Sequence, residues 1–77
     1  MSDNNAQILL ESVMKAAIDA ARQLKEPAAA GDVFSQGEIM AYYDILDVIK
    51  EQAELAGIEF DDLELAEFDP DELLPEE

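Results

Sequence analysis

Residues 35–57, SQGEIMAYYDILDVIKEQAELAG, contain the strongest helix signal in the chain. Ser35 followed three residues later by Glu38 predicts a capping box, in which each residue satisfies a free backbone N–H at the start of a helix. Phe34 just before this cap and Ile39 just inside it predict a hydrophobic staple. The sequence therefore predicts a helix that begins immediately after Ser35.

The apolar residues of this helix recur at spacings of three and four, which is typical of a helix with one buried face. Gly57 tolerates a positive φ and suits the residue that follows a helix. We therefore predict a helix over about residues 36–56. Its apolar face consists of Ile39, Tyr42, Leu46, Ile49, Ala53 and Ala56.

A second helix is predicted nearer the N-terminus, at about residues 5–25. Asp3, Asn4 and Asn5 are candidate caps for its first turn. Pro27 removes a backbone donor, so we expect the helix to end before it. Its apolar face consists of Ala6, Leu10, Val13, Ala17, Ala20 and Leu24.

A second apolar stripe lies beside the first on both helices. A lone hairpin buries one stripe per helix and leaves the other in water, and large exposed apolar patches usually mark an interface. We therefore predict an all-α fold, in which antiparallel helical hairpins dimerise into a four-helix bundle. The expected dimer interface is Leu9, Met14, Ile18, Ile45, Val48 and Leu55. The alternative is a monomer whose C-terminal segment folds back over the second stripe.

The composition changes after Gly57. Residues 1–57 hold ten acidic and four basic residues, a net charge of −6, whereas residues 58–77 hold ten acidic and no basic residues, a net charge of −10. We predict a hairpin domain followed by an acidic-hydrophobic C-terminal segment of little regular structure. Within it, DDLELAEF allows a turn or two of helix capped by Asp61 or Asp62.

The net charge of −16 restricts the partners that this chain can bind. Binding to nucleic-acid phosphates and anionic lipids depends on Lys and Arg, so direct nucleic-acid and membrane binding are disfavoured. A strongly negative field attracts basic protein surfaces and accelerates encounter with them. The opening MSDNNAQ lacks a basic stretch followed by an apolar one, and the apolar runs are short. We therefore expect a cytoplasmic protein.

The residue types present argue against an enzyme. The chain has no Cys and no His, which excludes the usual nucleophile–imidazole pairs and zinc sites. A calcium loop counted from Asp61 would need Gly at its sixth position and has Ala66 there. The three glycines do not form a phosphate-binding loop. We predict no catalytic residues, no metal site and no cofactor.

The leading hypothesis is a non-enzymatic interaction module that binds a basic protein through its acidic surface and C-terminal segment. Apolar residues among carboxylates are typical of segments that dock into a groove. The expected partner-binding residues are Tyr43, Phe60, Asp61, Asp62, Leu63, Glu64, Leu65, Glu67 and Phe68. Whether residues 58–68 pack on their own hairpin or on a partner stays open. The alternative function is a DNA-mimic inhibitor that occupies the basic cleft of a nucleic-acid-binding protein.

Overall fold

The chain folds as two long antiparallel helices crossed by a short C-terminal segment. The computed structural model describes residues 3–75. Its elements are α1 (Asp3–Ala29), α2 (Val33–Ala56), α3 (Leu63–Glu67) and a 3₁₀ helix (Pro70–Leu73). The predicted all-α class and helical hairpin are confirmed. The side chains of Asp3 and Asn4, two of the candidate caps, lie outside the described part of the chain.

Pro27 does not end α1, so the predicted boundary near residue 25 is wrong. The proline lies in the last turn, where it removes one i→i−4 hydrogen bond, and the helix continues for only two more residues. Gly31 defines the end instead, because its φ of 98° reverses the chain. The Asp32 N–H donates to the Pro27 carbonyl at 3.0 Å, and the Gly31 N–H donates to the Ala28 carbonyl at 3.1 Å. These two bonds form a Schellman motif.

α2 begins three residues earlier than the predicted capping box allows. Its N-cap is Asp32, and Ser35 lies inside the first turn, where its buried hydroxyl donates to Asp32 Oδ2 at 2.6 Å. Phe34 is 83% exposed, so the predicted hydrophobic staple is also wrong. Because Asp32 both follows the turn at Gly31 and starts α2, the connection is much shorter than the sequence suggested.

Gly57 ends α2 as predicted. Its φ is 72°, and the Ile58 N–H donates to the Ala53 carbonyl at 2.9 Å, which gives a second Schellman motif. The chain then turns back towards the hairpin.

The C-terminal segment (residues 58–75) contains two short helices, so it has more regular structure than predicted. The predicted turn or two of helix, capped by Asp61 or Asp62, is confirmed as α3. Asp62 caps α3 by accepting a hydrogen bond from the Glu64 N–H at 2.9 Å. Asp69 caps the 3₁₀ helix in the same way, accepting from the Asp71 N–H at 3.0 Å. Both caps satisfy backbone donors that a short helix leaves free.

The core is shared by both long helices and the C-terminal segment. Its buried apolar residues are Met14, Ile18, Ala21, Ile39, Leu46, Ala53, Leu65, Phe68 and Leu73. The predicted apolar faces were therefore partly wrong, because Ala6 and Val13 of α1 and Ala56 of α2 are exposed. Met14 and Ile18 were predicted at the dimer interface. They are 0% and 1% exposed in this core and offer no surface to a second copy. The segment folds back over part of the second stripe, as the alternative prediction stated.

Candidate protein-interaction site

The side of the hairpin covered by the C-terminal segment is called the front face. On α1, the Gln7 side-chain amide donates to the Glu59 carbonyl at 2.9 Å. The Glu11 carboxylate accepts from the backbone N–H groups of Asp61 and Asp62 at 3.2 and 3.1 Å. A hydrogen bond from Gln7 and these two backbone bonds lower the pKa of Glu11, and partial desolvation opposes them. Glu11 thus fixes the backbone of the C-terminal segment just before α3 begins.

Glu11→Gln is expected to destabilise the fold at neutral pH relative to Glu51→Gln, which removes an exposed carboxylate of α2. The pKa of Glu11 is lowered in the folded state. Its contribution is therefore present above the pKa of the unfolded carboxyl, and it is lost as pH falls through the folded value. Urea unfolding of both variants at pH 7 and pH 2.5 checks this. If the two variants still differed in free energy of unfolding at pH 2.5, the role of the ionised Glu11 carboxylate would be contradicted.

Arg22 on α1 holds the middle of the segment. Its Nη1 lies 3.0 Å from Glu64 Oε1 and its Nη2 lies 2.8 Å from Glu72 Oε1. The guanidinium also lies over the Phe68 ring, 5.7 Å from its centroid. The hydrogen bond with Glu72 is the main cause that raises the pKa of Arg22. One cation therefore joins α1 to both short helices.

Lys50 performs the corresponding role on α2. Its Nζ donates to the carbonyls of Leu65 and Ala66 at 3.0 Å each, and it lies 5.6 Å from the centroid of the Phe60 ring. Tyr43 contributes a hydrogen bond from its hydroxyl to Asp71 at 3.3 Å. Two of the chain's four cations, Arg22 and Lys50, thus bind the chain's own C-terminal segment.

The predicted partner-binding residues lie in different environments. Leu65 and Phe68 are buried in the chain's own core, so they are unavailable to a partner. Tyr43 and Phe60 are half-buried and pack against that core. Asp62 is half-buried at its cap, whereas the remaining predicted residues are exposed. These exposed residues are Asp61, Leu63, Glu64 and Glu67.

An uncharged surface lies on the opposite side of the hairpin and is called the back face. Successive residues of a helix are about 100° apart, so residues two positions apart point in nearly opposite directions. Leu9 and Val13 flank Glu11 at this distance, and both are exposed. Ile45 and Val48 stand two positions from Tyr43 and Lys50, and both are exposed too. The back face consists of Ala6, Leu9, Val13, Ala16, Ala20, Ala41, Ile45, Val48, Gln52 and Leu55.

The back-face residues follow a heptad pattern on both helices. Their spacings alternate between three and four, as at the apolar positions of coiled coils. None of these ten residues is charged, and the same spacing carried one step towards the α1–α2 turn reaches the exposed Glu38. Leu9, Ile45, Val48 and Leu55, predicted at the dimer interface, belong to this surface and are exposed. The spacing could have identified this surface, but the sequence analysis assigned Ala6, Val13 and Ala20 to the buried face of α1.

Carboxylates form a row along α2 between the two faces. This acidic row consists of Asp44, Asp47, Glu51 and Glu54, at spacings of three, four and three. Ten residues of helix place its ends about 15 Å apart. Partial desolvation raises the pKa of the neighbouring Tyr43, and the charges of Asp71, Asp47 and Asp44 raise it further. The row is therefore a strongly negative strip on an exposed helix.

Among the described residues, a groove and the remaining acidic side chains are further candidates for a site. A half-open groove of about 810 Å³ near the α1–α2 turn is lined mainly by apolar side chains, with Lys25 at its edge. It lacks the several convergent polar groups that orient a small ligand. Among residues 3–75, no group of three or more acidic side chains is placed to hold a metal ion.

Comparisons with protein-family models, with curated proteins and with solved structures found no match. Within the described residues, no helix is both long and apolar enough to cross a membrane.

Proposed function

We propose that the chain is a non-enzymatic protein-interaction module that binds a basic protein through the acidic row. The internal use of Arg22 and Lys50 supports this proposal, because it leaves few cations to offset the exposed carboxylates of α2. Carboxylates on an exposed helix steer a basic surface and select among partners. The sequence hypothesis placed the partner-binding residues mainly on the C-terminal segment. The proposed site lies on α2 instead, because Leu65 and Phe68 of that segment are buried.

A matched pair of charge variants tests the acidic row. The row variant is Asp44→Asn, Asp47→Asn, Glu51→Gln and Glu54→Gln. The control variant is Asp19→Asn, Glu26→Gln, Glu59→Gln and Glu67→Gln, all at exposed positions elsewhere. Each variant neutralises four carboxylates and changes the net charge from −16 to −12. Comparing the two variants therefore separates the effect of where charge is removed from the effect of how much charge is removed.

The row variant is expected to lose about tenfold or more of its affinity for a lysine-rich helical peptide, since each exposed ion pair contributes about 0.2–1 kcal/mol. The control variant is expected to lose much less. Fluorescence anisotropy with the labelled peptide measures both. Equal losses would mean that only net charge matters, and they would overturn the acidic row as a site. Parallel capture from lysate with both variants then identifies natural partners that depend on the row.

We also propose that two copies associate through their back faces into a four-helix bundle. Two hairpins joined in this way bury both apolar stripes, which a single hairpin leaves partly in water. The acidic rows stay exposed at the edges of such a bundle.

Val48→Glu is expected to convert the dimer to a monomer without unfolding the hairpin. Val48 is 53% exposed on the back face, and Ile8, which is 61% exposed, lies outside that face. Ile8→Glu therefore adds the same charge at a matched site and should leave the dimer intact. Light scattering coupled to size exclusion measures the mass, and circular dichroism checks the helices. A wild-type mass near 8.5 kDa at tens of micromolar would contradict the assembly.

A DNA mimic is a second candidate function, favoured by the charge per unit length. Residues 3–75 hold 18 acidic and four basic residues, a net charge of −14, and the Cα atoms extend over 46 Å. Two copies side by side would carry one net charge per about 1.6 Å, close to the value of about 1.7 Å in duplex DNA. In this case, duplex DNA should displace the captured partner. Displacement by an apolar competitor peptide, and not by DNA, would exclude the candidate.

A further inference from the structure

We infer that a basic partner bound to the acidic row also holds the C-terminal segment on the hairpin, so that partner binding and docking of the segment are coupled. This inference rests on the proposed binding of a basic protein to the row, and it adds the effect of that binding on the rest of the fold. The residues of α2 that hold the segment, and the charge of the segment itself, support it.

The residues of α2 that hold the segment lie beside the acidic row. Tyr43 contacts Asp71 of the 3₁₀ helix, and Lys50 Nζ donates to two carbonyls at the end of α3. Asp47 follows Tyr43 by four residues, and Glu54 follows Lys50 by four. Residues four apart are neighbours on a helix surface, with about 5–6 Å between their Cβ atoms. Row carboxylates and residues that hold the segment therefore alternate along one edge of α2.

The docked segment brings a further carboxylate to this edge. The Tyr43 hydroxyl donates to Asp71 at 3.3 Å, and Asp71 is exposed. Partial desolvation is the first cause that raises the pKa of Tyr43, and the charges of Asp71, Asp47 and Asp44 raise it further. Carboxylates of the segment and of the row thus act on the same hydroxyl. A partner that covers this end of the row also meets Asp71.

Like charges oppose docking of the segment, and a bound cation reverses this effect. Residues 58–77 carry a net charge of −10 and residues 1–57 a net charge of −6. Lysine side chains placed on the row attract the carboxylates of the segment more when it is docked than when it is detached, because exposed charges are screened beyond about 10 Å at 0.1 M salt. A basic partner therefore binds the docked form more tightly, and by linkage it favours docking to the same degree.

Amide hydrogen exchange of the full chain, measured by NMR with and without the lysine-rich helical peptide, tests the coupling. At a concentration that saturates the wild type, the peptide is expected to slow exchange in α3 and the 3₁₀ helix by about two- to fivefold, the effect of about one exposed ion pair. The row variant, which lacks the four carboxylates of the row, is not expected to show this slowing.

Asp71→Asn and Asp61→Asn form a matched pair for the same measurement. Each removes one exposed carboxylate of the segment and changes the net charge from −16 to −15. Asp71 contacts α2 through Tyr43, whereas Asp61 lies beside α1, where its backbone N–H donates to Glu11 at 3.2 Å. Asp71→Asn is expected to lose most of the slowing and to bind the peptide about two- to fivefold more weakly. Asp61→Asn is expected to retain both properties.

Other results would overturn the inference in distinguishable ways. Peptide binding that leaves exchange in α3 and the 3₁₀ helix unchanged would mean that the row and the segment act independently, and the proposed function would still stand. Faster exchange with peptide would mean that the partner competes with the hairpin for the segment. Absence of peptide binding in the anisotropy measurement would exclude the proposed function, and the coupling with it.

Discussion

Leu65→Ala is expected to lower the free energy of unfolding by about 2–5 kcal/mol, the usual cost of truncating a buried leucine. Leu63→Ala is expected to change it by less than about 0.5 kcal/mol, as for most surface substitutions. Both residues lie in α3, but Leu65 is 1% exposed and Leu63 is 72% exposed. The two variants share the same chemical change and nearly the same place in the helix, so burial alone separates them.

The expected loss is a large part of the total stability. At about 0.05–0.15 kcal/mol per residue, a chain of this length has a total free energy of unfolding of roughly 4–12 kcal/mol. Urea unfolding followed by circular dichroism at 222 nm gives the free energies of both variants. Small and equal effects would mean that α3 contributes little to the fold. That result would restore the hypothesis in which Leu65 and Phe68 serve a partner.

The second large effect is expected at Arg22. Arg22→Gln removes two ion pairs and the contact with the Phe68 ring, all of which hold the C-terminal segment. The Arg22 side chain is 37% exposed, so each ion pair is screened and contributes only a few tenths of a kcal/mol to about 1 kcal/mol. With the ring contact, the expected loss of stability is about 1–2 kcal/mol.

Lys25→Gln is the matched control for Arg22→Gln. It removes the same unit of positive charge from a strongly negative chain, at an exposed position three residues further along α1. Arg22→Gln should have a lower free energy of unfolding than Lys25→Gln at low salt, and this difference should become smaller at high salt. Amide hydrogen exchange should be faster in α3 of Arg22→Gln alone. Equal exchange in the two variants would contradict the role of Arg22 in holding the segment.

The hairpin could be predicted because its signals are local. Apolar spacing of three and four and the positive φ of Gly57 depend on nearby residues, and both long helices formed as expected. The helix boundaries were predicted less well. Pro27 can follow a helix or lie in its last turn, and Ser35 can be an N-cap or lie in the first turn. The short connection formed by Gly31 and Asp32 places Pro27 in the last turn of α1 and Ser35 in the first turn of α2.

Local sequence patterns do not predict that the C-terminal segment packs on its own hairpin. α3 has five residues and is too short to be stable alone, so its formation depends on packing against the hairpin. Arg22 binds Glu64 and Glu72, which lie 42 and 50 residues away in sequence. No local pattern predicts such pairs. Both apolar stripes have helical spacing, and only the position of the segment determines which one is buried.

The contribution of the C-terminal segment to the core also determines the order in which the chain folds during synthesis. Ribosomes add about 5–20 residues per second, so the segment follows the hairpin by roughly 1–4 s, whereas helical structures form in less than a millisecond. A hairpin without the segment would lack part of the core that covers Met14, Ile18 and Leu46. We therefore expect the docking of Leu65, Phe68 and Leu73 to be the last step that completes this core.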